Sequence, residues 1–202
     1  MTTAAELIDS VKHRLESREN IYPAINKAIR ILAKRLMYHN SDLVTGSLNQ
    51  AVLAAADSAT LPTDFWGLRG FPYISGDTAY LKPLPSKSLI PIYQNDAVPI
   101  YYEIHGQTMK LIPGTASAIT ILGDYWQRPT KITAPLDTVP YFEQFDDAIG
   151  EYIVEAVKTK PKQESEIQLI IIRAVDEIVP IRDMRGNTPF PSGEDWDFLA
   201  NG

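Results

Sequence analysis

"LPTDFWGLRG", Leu61–Gly70, is the stretch on which the fold turns. It crowds Phe65 and Trp66 between a proline and two glycines, with Asp64 and Arg69 on either side. Read as a site, it is an acid and a base framed by aromatic walls. Read as a junction, Pro62 biases Leu61 toward extended backbone, Asp64 closes an Asx turn, and Phe65, Trp66 and Leu68 supply core to the first strands. What lies on each side decides between them.

Upstream the sequence is helical. Residues 3–18 place Leu7, Ile8, Val11 and Leu15 on one face of an amphipathic helix. From Asn20 to Asn40, Ile21, Ile25, Ile29, Leu32 and Leu36 recur at steps of four, four, three and four, and Pro23 suits a first turn. Lys27, Arg30, Lys34 and Arg35 fill the opposite face, which reads as solvated helix surface or as contact with an acidic partner. At Asn40 the helical period stops, and Val52 to Pro62 reads as strand and turn.

Downstream come short runs punctuated by Gly and Pro: "AYLKPLP", "LIPIYQ", "VPIYYEIHGQTMKLIP" and "AITILGDYWQRP". The third holds a tight hairpin. Ile100, Tyr102 and Ile104 alternate with Tyr101 and Glu103, His105-Gly106-Gln107 turns the chain, and Met109 and Leu111 lead to a stopping Pro113. A strand from Ile119 to Tyr125 is expected to pair with it in a small antiparallel sheet or open barrel. Helix returns near Tyr141, with Phe142, Phe145, Ile149, Tyr152, Ile153 and Ala156 on one face up to Lys160-Pro161. Glu143, Asp146 and Asp147 fall in its first turn, where the helix dipole favours acids. A fourth helix is expected from Glu164 to Val179. The predicted architecture is α+β: a four-helix bundle (1–40 and 141–180) interrupted by an inserted antiparallel β subdomain (41–140), with an extended tail (181–202).

Composition narrows the function. The 202 residues include no cysteine, which excludes disulfides and thiolate metal sites and fits folding in a reducing cytoplasm. No run approaches the ~18 to 20 apolar residues of a membrane span, and the N-terminus lacks an apolar signal core. Residues 1–40 carry seven Lys/Arg against four Asp/Glu, whereas residues 143–202 carry six against thirteen. The chain as a whole stands at −6, without the footprint of a nucleic-acid binder. A basic start and an acidic end read as complementary surfaces, within or between subunits.

Chemistry is not visible. His13, His39 and His105 form no metal-ligand spacing, and there is no nucleophile elbow, Walker loop or dinucleotide fingerprint. Asp146-Asp147 is explained by a helix start, and Asp176-Glu177 reads as helix surface. No catalytic residue, metal or cofactor is expected.

With these neighbours the opening stretch reads as a junction, and the sequence here resembles the phage head-to-tail adaptor (connector) proteins. Members carry "LPxDF" at this junction, matched by Leu61, Pro62, Asp64 and Phe65. A hairpin of the form "Y-x-I-x-G-x-x-L-x-L-x-P" follows, matched by Tyr102, Ile104, Gly106, Met109 (in place of the first leucine), Leu111 and Pro113. The next strand ends in "Y-x-x-x-P", here Tyr125 and Pro129. The order of elements corresponds over about residues 5 to 160. Two departures are a longer, proline-rich stretch from Gly70 to Pro99, suggesting an extra loop, and a tail after Pro180 with no family motif.

The resemblance implies a structural virion protein of the neck, assembled in the host cytoplasm. It would form a homo-dodecameric ring below the portal protein, bind a downstream tail or neck protein, and continue the channel through which DNA passes. It implies no enzyme activity, no cofactor and no membrane. On this reading Arg30, Lys34 and Arg35 face a neighbouring subunit or the portal. The tail, too rich in Pro and Gly to fold alone, docks through Phe190, Trp196, Phe198 and Leu199. A rival reading is a β-rich carbohydrate-binding module using Trp66, Tyr101, Tyr102 and Trp126. A small hydrolase would need a convergent His–carboxylate pair.

Overall fold

The computed structural model describes residues 2–15, 21–86, 98–158 and 163–179. Within them the chain is α+β and divides into two compact units, one of residues 2–44 with 128–179 and one of residues 45–127.

The first unit is helical. Helix α1 (Ala4–Val11) opens on a capping box: the Glu6 amide donates to Thr3 Oγ1 at 3.3 Å, and the Thr3 amide donates to Glu6 Oε2 at 2.7 Å. Two more amides of its first turn, Ala4 and Ala5, donate to the carbonyls of Asp137 and Pro135. The helix is shorter than its apolar period suggests, tightening to a 3₁₀ turn at Lys12–Arg14 before Leu15 becomes extended. Helix α2 (Ile21–Tyr38) buries Ile21, Ile25, Ile29, Leu32 and Leu36, the face read from the sequence, together with Ala28, Ala33 and Met37. It ends in a Schellman motif. Asn40 takes φ 52°, its amide donates to Met37, and the Ser41 amide donates to Leu36.

Helix α3 (Asp146–Val157) begins later than expected, because Phe142–Gln144 form a 3₁₀ turn first. Helix α4 (Glu164–Ile178) buries the seam Ile167, Ile171 and Val175. Helices α2, α3 and α4 pack on one another, and α1 packs on α3. Gly150 permits that last approach, since a Cβ there would lie 2.9 Å from Val11 Cγ1. With one member only two turns long, this is not a regular four-helix bundle.

Among its described residues the second unit holds eight strands in two sheets. Strands β1 (Thr45–Val52), β8 (Ile119–Gln127) and β3 (Phe65–Leu68) form the first in that order, and β4 (Tyr73–Ile74) also pairs with β8. Strands β2 (Ser58–Thr60), β7 (Thr108–Ile112), β6 (Tyr101–His105) and β5 (Lys82–Pro83) form the second. All pairs are antiparallel except β5 with β6.

The hairpin is where the sequence placed it. Gly106 has φ 59° in a two-residue turn, and Tyr102 pairs with Leu111. The partner expected for it is not. Strand β8 pairs with β1, β3 and β4, while the hairpin takes β2 and β5. Length explains the change: β8 has nine residues, and the eight-residue β1 matches it from Thr45↔Trp126 to Val52↔Ile119 without a register shift. Both sheets contribute to one core, including Leu48, Val52, Ile74, Ile121 and Tyr125 from the first and Ala59, Tyr102, Met109 and Leu111 from the second.

Candidate functional site

Leu61 to Phe65 is built as a fastening. Leu61 and Phe65 are buried in the core of the β unit. The Leu61 amide donates to the carbonyl of Gln107 at 2.9 Å, which ties the segment to the turn of the β6–β7 hairpin. Pro62 lends its carbonyl to the Phe65 amide at 3.0 Å. Asp64 does not close a turn on its own backbone. Its carboxylate reaches across to β8, accepting from the Tyr125 hydroxyl at 2.9 Å and from Gln127 Nε2 at 3.1 Å. Phe65 stacks on the Tyr125 ring, with centroids 5.7 Å apart and planes 30° apart. Trp66 is the extra residue of a bulge, since Phe65 pairs with Gln127 and Gly67 with Trp126.

Tyr125 needs space beneath it, and Gly46 supplies it. The two are cross-strand partners, and a Cβ at Gly46 would fall 2.6 Å from Tyr125 Cζ. Burial, above all, pushes the Tyr125 hydroxyl's pKa up, so it stays a donor to Asp64. Arg69 lies over the Trp126 ring, 5.3 Å from its centroid. In the opening stretch Asp64 is thus engaged with β8, and Arg69 with the Trp126 ring. Pro113 follows β7 through a cis bond to Ile112.

The rival carbohydrate face is dispersed. Tyr102 and Trp126 are buried, and the four aromatics divide between β3 and β8 of one sheet and β6 of the other. His105 sits 3.0 Å from Glu103 at the exposed hairpin end. Among the described residues no group of three or more His, Asp and Glu could hold a metal ion, and no helix is long and apolar enough to cross a membrane.

The basic face of α2 is partly spent inside its own unit. Lys27 Nζ pairs with Glu164 Oε1 at 2.7 Å. Arg35 forms a two-pronged pair with Asp176, through Nε at 2.6 Å and Nη2 at 2.7 Å, and its guanidinium lies 4.5 Å from the Tyr38 ring centroid. His39, buried at 1% exposure, places Nε2 2.9 Å from the same Asp176 carboxylate and Nδ1 2.8 Å from the Val179 carbonyl. Asp176, expected on open helix surface, is thus a hub between α2 and α4.

Its pKa is held below the usual carboxylate range, first by the Arg35 hydrogen bond and then by His39. The Lys27 hydrogen bond lowers that of Glu164 in the same way. Arg30 is exposed and Lys34 half-buried. Phe190, Trp196, Phe198 and Leu199 lie outside the described residues.

Sequence reasoning missed three positions. Gly46 stands in a polar stretch that carries no apolar alternation. Asn26 was not singled out, and its side chain brackets Ile132, accepting from the backbone amide and donating to the carbonyl, both at 2.8 Å. His39 gave no spacing signal because its partners lie some 140 positions away.

What the described geometry provides is a set of fastenings between elements. Curated proteins give no match to the sequence. Residues 2–176 match the family model of the SU10 adaptor protein, and the chain belongs to that family of phage adaptor proteins.

Proposed function

We infer that this chain is a head-to-tail adaptor of the virion neck, acting by assembly and not by catalysis. Copies form a ring, dodecameric by the family resemblance, below the portal protein, receive a downstream tail or neck protein, and line the passage of DNA. The observation that carries the reading is the family match over residues 2–176.

The β unit is inserted along the chain between α2 and α3, and the helical elements serve as the frame of the ring. The exposed Arg30, with Lys34, meets a neighbouring copy or the portal, while Arg35 contributes by holding α2 against α4. The 181–202 segment acts as a docking arm. A net charge of −6 per copy, repeated around a ring, discourages passing DNA from adhering.

Mixing the purified chain with rings of the cognate portal, followed by native mass measurement and electron microscopy, tests this reading. The expected result is one added ring of chains on one face of the portal. A chain that stays monomeric beside intact portal rings would overturn it.

A further inference from the structure

Strand β1 ends the first sheet. Among the described residues it pairs with β8 alone, and Gly46 to Val52 make no backbone hydrogen bond beyond that ladder. In an antiparallel pair every second residue turns its N–H and C=O away from the partner, so β1 presents a row of backbone donors and acceptors. Proteins usually blunt such an edge with charge, proline, a bulge or brevity. This one, "TGSLNQAV", has eight residues, no charge, no proline and an unbroken register. The other edge strands of the unit have two to four residues. The long edge is left ready to receive a strand.

Its faces say which kind. Leu48 and Val52 point into the core, in line with Gly46 and Gln50, while Ser47, Asn49 and Ala51 are exposed. An added strand must alternate apolar and polar side chains to extend both faces. In the last 23 residues of the chain one stretch does so at its centre without proline: in "EDWDFL", 194–199, Trp196 and Phe198 fall on one face and Asp195 and Asp197 on the other, with Glu194 ending the first face and Leu199 the second. Fourteen residues separate Val179 from that stretch, a reach of roughly 50 Å when extended, enough to pass beyond its own subunit.

We propose that residues 194–199 of one copy add as a strand to the open edge of β1 in a second copy, with Trp196 and Phe198 extending the face of Leu48 and Val52. The proposal rests on the reading of the tail as a docking arm and names its receptor.

The absence of cysteine makes a direct test simple. Chains carrying Ser47→Cys or Asn49→Cys are mixed, under oxidation, with size-tagged chains carrying Asp195→Cys or Asp197→Cys. Each is tested alone and on portal rings, with Glu166→Cys on α4 as the control. A disulfide between tagged and untagged chains in at least one of the four pairings is expected, and none with the control.

Amide exchange supplies a second readout. In assembled full-length chain the outward amides of residues 46–52 should exchange at least ten-fold more slowly than in the Trp196→Ala, Phe198→Ala variant. Equal exchange in the two, both concentrated and on portal rings, overturns the proposal, as does a link confined within single chains. Rings that form normally with β1 unprotected defeat strand addition and leave the adaptor reading standing. Protected β1 amides without any portal association defeat the adaptor reading alone.

Discussion

Asp64 in the β unit and Asp176 in the helical unit each use both carboxylate oxygens to join elements far apart in sequence, yet they do so in different currencies. Asp64 takes neutral donors, a tyrosine hydroxyl and a glutamine amide, beside a stacked Phe65 ring and above a glycine that leaves room for it. Asp176 takes charge, from Arg35, and shares an oxygen with buried His39. Its side chain keeps 39% exposure, so solvent screens that pair, whereas the Asp64 cluster depends on shape. One fastening should answer to packing changes and the other to salt and pH.

The largest effect that could break this contrast is expected at Gly46. Gly46→Val drives a side chain into the Tyr125 ring, and chemical denaturation should show a loss of about 3 kcal/mol, from overpacking plus the displaced hydroxyl. A loss near zero would mean the ring moves aside freely and shape is not what holds Asp64 in place.

Next comes the hydroxyl itself. Tyr125→Phe and Asp64→Ala should each cost about 1 kcal/mol. The double variant should cost less than the two together, because both remove one bond. Neither loss should change between low and high salt.

Arg35→Met should cost less than about 1 kcal/mol at low salt and still less at high salt. A salt-independent loss would place Arg35 with the shape-dependent class, through its packing on Tyr38.

The smallest effect is the acid response of the helical unit. Asp176 and Glu164 have folded pKa values below their ordinary ones, so their contribution is complete above the ordinary carboxylate range, about pH 4, and disappears as pH falls through the folded values. Asp176→Asn should flatten the stability curve below about pH 4 and leave the Tyr125–Asp64 cycle unchanged.

Much of this was legible in the sequence, and what was not has physical reasons. The α2 face showed itself because five apolar residues at helical steps can bury only one way, and the hairpin because Gly106 marks a turn between two alternating runs. Strand β1 was hidden: its buried residues are Leu48 and Val52, four apart, with Gly46 and Gln50 between and beyond them in the inward row. A strand that fills its inner face with a neighbour's tyrosine ring sends no apolar alternation of its own. Without β1, β8 had no long partner in view and was assigned to the hairpin. Asp64 was recognised as structural, but its donors sit over sixty positions away, beyond any local pattern. Asp176 illustrates the converse. Its helix was correctly placed, but a charge on an outer face gives no sign of which helix will come to meet it.

The ladder between β1 and β8 begins with Thr45 opposite Trp126, and the β unit runs from Thr45 to Gln127. The two places where the chain enters and leaves this unit are therefore direct strand neighbours, about 5 Å apart. A segment with joined ends can be cut out and replaced by a short bridge, or grafted whole into another host, without stretching the chain on either side. Evolution can then trade the β unit of such an adaptor, with whatever surface it offers, while the helices keep their own pairings.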